Sequence, residues 1–121
     1  MKTTSAPESC WPDPGQELLL RAALLRGDDA LRAWRQWKRG NDVNEIDTGS
    51  YRLLPLLYAN LREAACEDEL TGLLKGVYRN AWYKNQLLFH HAAAVLSFLR
   101  RAGVETIVLK GIALTRLYYR D

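Results

Sequence analysis

Apolar residues recur at helical spacing through most of residues 13–102, which predicts a largely helical region. The first predicted helix begins at Asp13, whose carboxylate is placed to cap it, and runs to about Arg26. Gly27 is expected to end this helix, and Asp28 to cap a second helix that stops at Gly40. Its apolar positions share one face, on which we expect core residues: Leu31, Trp34 and Trp37.

A third helix is predicted in residues 51–64, after the turn-rich segment 40–50. Gly49 or Ser50 opens this helix, and Pro55 lies either in its first turn or at a kink. The residues expected on its buried stripe are Leu53, Leu57 and Leu61.

Three acids at residues 67–69 predict the start of a much longer helix, because carboxylates oppose the positive end of the helix dipole. An apolar stripe then continues from Leu70 to Leu99, about eight turns of helix. Gly103 follows as a stop signal. The stripe comprises Leu73, Leu74, Val77, Ala81, Leu88, Ala92, Val95 and Leu99.

The pattern changes after Gly103, where four β-branched residues fall between Val104 and Val108. The run VETIVL predicts a short strand that is buried on both faces and ends at Leu109. A lone strand leaves backbone groups unpaired, at a cost of about 1 to 3 kcal/mol each when they are buried. Partner strands are therefore expected either after Asp121 or from another chain. Helical spacing resumes at Ile112, Thr115 and Tyr119.

Composition places the chain among single small globular domains, with 121 residues and 13.8 kDa. The net charge is +3, but the first 69 residues carry nine bases and twelve acids, whereas the rest carry eight bases and two acids. No apolar run approaches the roughly 20 residues of a membrane span, and no secretory signal is evident, so a soluble, cytoplasmic protein is expected. Cys10 and Cys66 are expected to be free thiols.

Residues 100–121 read RRAGVETIVLKGIALTRLYYRD, in which Leu-Lys-Gly closes the predicted strand and Ala-Leu and Leu-Tyr follow. This block resembles the uncharacterised nucleotidyltransferase family, which is related to the polymerase-beta-like superfamily. The LLPLLY segment at residues 53–58 resembles a helix of the same family more loosely. The fold class implied is mainly α, with a helical N-terminal region leading into a truncated α/β nucleotidyltransferase-like domain that contributes one strand and one helix.

The resemblance implies transfer of a nucleotidyl group from a nucleoside triphosphate (NTP), with Mg²⁺, to an acceptor that the sequence does not identify. It assigns Lys110 and Gly111 to nucleotide binding: the glycine admits phosphate oxygens close to the backbone, the following helix start offers N–H groups, and the lysine adds positive charge. The family's Asp-x-Asp pair, which would hold the metal ions, does not occur in these 121 residues. This chain is therefore expected to be inactive, with no cofactor bound and no catalytic or metal-ligating residue of its own.

The predicted organisation is a disordered tail over residues 1–12, a helical region over 13–102 and the start of the transferase domain over 103–121. The alternative function is a non-enzymatic helical adaptor that binds single-stranded nucleic acid or protein through residues 79–85, where bases and aromatics alternate. We expect Trp82 and Tyr83 to pack against the first three helices instead. For that reason a nucleic-acid partner is not expected. Self-association through the unpaired strand is expected, and a membrane partner is not.

Two further groups of polar residues invite a metal interpretation. His90 and His91 are adjacent, so their side chains diverge by about 100° on a helix and do not chelate one ion together; His91 is expected to be partly buried. The second group lies in the loop at residues 40–50 and comprises Asp42, Asn44, Glu45 and Asp47. This loop lacks the glycine and the terminal glutamate of an EF-hand, so a solvated turn is expected.

Overall fold

The structure, a computed structural model, describes residues 10–117, apart from the side chain of residue 116. The first nine residues of the predicted tail and the last four residues, with Tyr119 and Asp121, lie outside the described residues. The chain divides into two compact units, residues 1–79 and 80–121. The described helices are α1 Pro14–Leu24, α2 Gly27–Gly40, α3 Thr48–Tyr51, α4 Leu54–Glu63, α5 Thr71–Arg101 and α6 Gly111–Leu117.

The start of α1 follows the sequence prediction closely. The Asp13 carboxylate accepts the backbone N–H of Gln16 at 2.8 Å, and the Gln16 side chain accepts the N–H of Asp13 at 3.0 Å. The helix ends at Leu24, two residues before the predicted limit. Gly27, with φ +57°, is the first residue of α2, so the prediction that Asp28 caps this helix was wrong.

The predicted third helix is divided into two helices. Asp47 caps the short α3 by accepting the N–H groups of Gly49 and Ser50, and a turn then leads into α4. Pro55 lies in the first turn of α4, where its missing N–H costs no hydrogen bond. At the other end of α4, Ala65 adopts a left-handed φ of +52° and terminates the helix.

The core of the first unit is built around two stacked tryptophans. The rings of Trp34 and Trp37 lie 5.3 Å apart between centroids and only 10° from parallel, and both side chains are buried. Their prediction as core residues is confirmed. Apolar residues of α1, α4 and the first turns of α5 complete this core, among them Leu19, Ala22, Leu54, Leu57, Leu61 and Leu74.

A polar cluster joins α2 to the start of α5 at the edge of this core. The indole N–H of Trp34 donates to Asp68 Oδ2 at 2.7 Å, and Lys38 Nζ donates to the same oxygen at 2.9 Å. Lys38 also donates to Glu69 Oε1 at 3.0 Å and lies 5.7 Å from the centroid of the Trp34 ring. Both side chains of the Asp68–Lys38 pair are mostly buried, which removes them from solvent screening.

Asp68 also holds the turn that leads into α5. Its Oδ1 accepts the N–H of Leu70 at 2.9 Å, while its own N–H donates to Thr71 Oγ1 at 2.8 Å. Burial would raise the pKa of the Asp68 carboxyl, but the bonds from Lys38, Trp34 and Leu70 outweigh burial and hold that pKa below its ordinary value of 3.8. Burial likewise opposes the charge of Lys38, yet the two carboxylates raise the pKa of its ammonium.

Asn60 satisfies backbone carbonyls at the C-terminal end of α1. This buried side chain donates from Nδ2 to the carbonyl oxygens of Ala22 at 2.8 Å and Leu25 at 2.6 Å. Its Oδ1 accepts a bond from Arg26 at 3.0 Å. The free carbonyls at the end of one helix are thus satisfied by a side chain of α4, which fixes how the two helices pack.

The second unit contains the later part of α5, which ends at Arg101, just before the predicted stop signal Gly103. Gly103 has φ +75°, its N–H donates to the carbonyl of Arg100, and the N–H of Val104 donates to that of Leu99. The strand predicted at residues 104–109 was wrong for the described part of the chain, in which no strand occurs. These residues find no partner for a ladder of hydrogen bonds there and run as an irregular, mostly exposed segment.

We expect Asp68→Asn to lower the free energy of unfolding by about 1 to 3 kcal/mol at pH 7, since the variant leaves a mostly buried ammonium with the exposed Glu69 as its remaining charged partner. The pKa of the Asp68 carboxyl is lower in the folded state than its ordinary value of 3.8. The stability that Asp68 contributes is therefore fully present above pH 3.8 and is lost as the pH falls through the folded-state pKa. Urea unfolding of both proteins between pH 7 and 2 measures this difference.

The control variant is Glu17→Gln, which removes an exposed ion pair with Arg21 within α1. It should cost less than about 0.5 kcal/mol. An Asp68→Asn penalty no larger than that of the control, or one that stays constant down to pH 2, would contradict the role assigned to Asp68.

Candidate nucleotide-contact segment

Residues 103–111, here called the contact segment, carry Lys110 and Gly111 and are exposed along most of their length. From Gly103 to Leu109, only Val108 is partly buried, and the side chain of Ile107 is 86% exposed. This arrangement contradicts the prediction of a strand buried on both faces. The segment as described is an open surface.

The turn into α6 is made by Lys110 rather than by the glycine that follows it. Lys110 has φ +59°, a left-handed conformation that costs a non-glycine residue roughly 1 kcal/mol. Its carbonyl accepts the N–H of Leu114 at 2.9 Å, and Thr115 Oγ1 donates to the carbonyl of Gly111 at 2.7 Å. A Cβ added at Gly111 would meet no atom of the described residues within 4 Å, so packing among them does not demand glycine there.

Charged groups near this turn are mainly basic. Arg100 and Glu105 line an open groove of about 720 Å³ together with Gly103, Val104, Thr106 and Ile107. Lys110 and Gly111 lie outside that lining, although both are exposed. Glu105 is the one carboxylate among the described residues that follow α5. A pair of metal ions needs several such ligands, so these residues do not fit a Mg²⁺ site.

The histidines occupy neighbouring positions on α5, and their ring centroids are 6.0 Å apart. Both His90 and His91 are exposed, so the expectation that His91 is partly buried was wrong. Within residues 10–117, no group of three or more potential ligands is arranged to hold a metal ion. In the loop at residues 40–50, Asp42 instead accepts the N–H of Asn44, and Asp47 caps α3.

The aromatic pair in the middle of α5 differs from its prediction. Trp82 is 51% exposed and Tyr83 is 59% exposed, so they do not form part of a core. Three positions of the predicted stripe, Leu73, Leu88 and Val95, are likewise exposed. Among the described positions of the stripe, Leu74 is the one that is fully buried.

Sequence reasoning missed part of the apolar surface on α5, where Leu87 and Phe98 are exposed although neither belongs to the predicted stripe. A signal was present in the sequence, because α5 contains no acidic residue and carries apolar residues around its whole circumference. A helix of that kind needs contacts on more than one side.

The two cysteines are free, as predicted. Burial raises the pKa of the Cys66 thiol, and the nearby charge of Asp68 adds to that effect. A thiol with a raised pKa is a poor nucleophile at neutral pH, so no covalent chemistry is assigned to it. No helix among residues 10–117 has the combination of length and apolar character that a bilayer crossing requires.

Comparison with known proteins identifies the family. The family model described as "Uncharacterised nucleotidyltransferase" matches residues 50–121, more than half of the chain and all of the contact segment. No curated protein and no solved structure matches the sequence. The chain belongs to the uncharacterised nucleotidyltransferase family, as its Leu-Lys-Gly block predicted.

Proposed function

We propose that this chain provides the phosphate-contacting turn of a nucleotidyltransferase, in which Lys110 and Gly111 approach the phosphates of an NTP. The family match over residues 50–121 carries the proposal. The compartment we propose is the cytoplasm, where NTPs are available to such an enzyme.

The local structure supports these two residues as ligand contacts. The Lys110 side chain is exposed, so its ammonium is free to approach an anion without displacing packed neighbours. The open space around Gly111 means that its lack of a side chain is not needed for packing. Close approach of a phosphate to the backbone is a physical reason for glycine at such a position.

Transfer of a nucleotidyl group requires divalent ions that stabilise the attacking and leaving oxygens. The family's Asp-x-Asp pair would hold them, and this sequence has no such pair. Glu105 alone does not replace it. We therefore infer that these 121 residues bind part of the nucleotide and do not complete the reaction by themselves.

We expect the 121-residue chain, incubated with Mg²⁺ and each of the four radiolabelled NTPs, to transfer no label to itself or to added protein, nucleic acid or small-molecule acceptors. The physical reason is the missing carboxylate pair. Phosphorimaging of the separated products measures the outcome, with an active nucleotidyltransferase as the positive control. Metal-dependent labelling above the no-enzyme background would contradict this inference.

The nucleotide contacts are best tested in a polypeptide that continues residues 1–121 with the family's Asp-x-Asp strand. We expect Lys110→Ala to weaken NTP binding about tenfold by removing a charge-assisted contact. Gly111→Val should weaken binding to a similar degree, because its branched side chain would occupy the space of the phosphates. Isothermal titration calorimetry with a non-hydrolysable NTP gives the dissociation constants.

The matched control is Gly76→Val, since Gly76 is also helical and a Cβ there meets no atom of the described residues within 4 Å. It should leave the NTP dissociation constant unchanged, and melting curves of all variants should be compared. Unaltered NTP affinity in both Lys110→Ala and Gly111→Val would remove these residues from the site.

The exposure of Trp82 and Tyr83 favours a second candidate function, that of a helical adaptor for single-stranded nucleic acid. Two exposed rings beside Lys84 and Asn85 offer stacking surfaces and a phosphate contact on one helix. The absence of acidic residues from α5 removes the most direct source of repulsion.

If the adaptor function holds, Trp82→Ala should weaken binding of a fluorescent oligo(dT) by about 1 to 3 kcal/mol, and affinity should fall steeply with added salt. Fluorescence anisotropy at several salt concentrations measures both effects. Trp11→Ala, which removes another exposed tryptophan, is the control. No salt-dependent binding of the wild-type chain would eliminate this function.

A further inference from the structure

A cleft of about 400 Å³ lies in the first unit, lined by the later part of α4, the turn that follows it and the first turn of α5. Its most buried lining residues are apolar or aromatic: Tyr58, Leu61 and Leu74. Small-molecule sites commonly have volumes of about 300 to 1,000 Å³. The buried lining favours a ligand with an apolar body, because their contact removes apolar surface from water on both sides.

The positive charge of this cleft belongs to Arg62, whose side chain is held by two aromatic rings. Its guanidinium carbon lies 5.7 Å from the centroid of the Tyr58 ring and 5.6 Å from that of Tyr78. The two rings contact one another, with centroids 5.2 Å apart. Within residues 10–117, Arg62 forms no ion pair with a carboxylate. Its planar set of N–H donors is therefore available to a carboxylate of a ligand.

The negative charge of the same cleft belongs to Glu67, which is exposed. Glu67 pairs neither with Arg62 nor with another cation in the described part of the chain. A ligand that is only an anion would be repelled by Glu67, and a ligand that is only a cation would be repelled by Arg62. Charge complementarity therefore selects a zwitterion, which has one carboxylate and one ammonium group.

We propose that this cleft binds an apolar α-amino acid. The carboxylate of the ligand contacts Arg62, its ammonium contacts Glu67, and its side chain lies against the buried apolar lining. This inference does not rest on nucleotide transfer, because no residue of the cleft belongs to the contact segment. Either proposal can therefore fail while the other stands.

The probe is L-leucine, titrated into the 121-residue chain and followed by isothermal titration calorimetry. Saturable binding is expected. Two analogues each lack one charged group of leucine: 4-methylpentanoate has no ammonium, and 3-methylbutylamine has no carboxylate. Each should bind at least about tenfold more weakly than leucine, because each leaves one charge of the cleft unpaired and is repelled by it. L-Serine, which lacks the apolar body, should also bind at least about tenfold more weakly.

Variants that remove one charge of the cleft should discriminate among these ligands. Arg62→Gln should weaken the binding of leucine and 4-methylpentanoate about tenfold, without weakening that of 3-methylbutylamine. Glu67→Gln should weaken the binding of leucine and 3-methylbutylamine, without weakening that of 4-methylpentanoate. The matched controls are Arg52→Gln and Glu45→Gln, which change exposed residues of the first unit outside the cleft lining. Both should bind leucine as wild type does.

Cys66 provides a second readout, because it lines the cleft, whereas the exposed Cys10 does not. Saturating leucine should slow the alkylation of Cys66 by N-ethylmaleimide and leave that of Cys10 unchanged, as measured by mass spectrometry. Absence of saturable leucine binding, equal affinity for leucine and serine, or unchanged leucine affinity in Arg62→Gln would each overturn the proposal. Leucine binding that leaves Cys66 unprotected would also overturn it, because the ligand would then lie elsewhere.

Discussion

The carboxylate of Asp68 is the constraint on which the packing of the first unit depends. One oxygen accepts the Trp34 indole N–H and a bond from the Lys38 ammonium, while the other accepts the N–H of Leu70 in the turn that leads into α5. Two side chains that lie 30 or more residues earlier in the sequence, those of Trp34 and Lys38, therefore help to fix where the longest helix starts. Because Trp34 also stacks on Trp37 in the core, the polar cluster and the apolar core hold one another in place.

The two units differ in how far they bury their own apolar residues. The first closes a core of leucines, alanines and tryptophans and satisfies its helix ends with Asp13, Asp47, Asn60 and Asp68. The second leaves Phe98, Ile107 and Leu109 exposed within the described residues. The exposed segment of the second unit carries the Leu-Lys-Gly block.

Features set by neighbouring residues could be predicted from the sequence. The capping pair of Asp13 and Gln16 and the stop at Gly103 each need only a few adjacent positions, and the structure has both. The core role of Trp34 and Trp37 also followed from helical spacing. The match to the family was predictable because the ordered residues around Lys110 and Gly111 are specific.

Features that depend on a distant partner could not be predicted. Residues 104–109 have the composition of a strand, but a strand exists only when another segment pairs with it. The same reasoning applies to Trp82. Its position on the helix is compatible with a place in a core, but the described residues do not form a core around it. Asp68 was recognised as an acid before a helix, yet nothing local revealed its bond to Trp34.

The pH titration of the Trp34 indole N–H by ¹⁵N NMR tests this account most directly, because that proton donates to Asp68 and reports on its ionisation. We expect this proton to exchange slowly with water, unlike that of Trp82, and its resonance to titrate with a midpoint below 3.8, the ordinary pKa of the carboxyl. An indole N–H that exchanges as fast as that of Trp82, or a midpoint at or above 3.8, would contradict it.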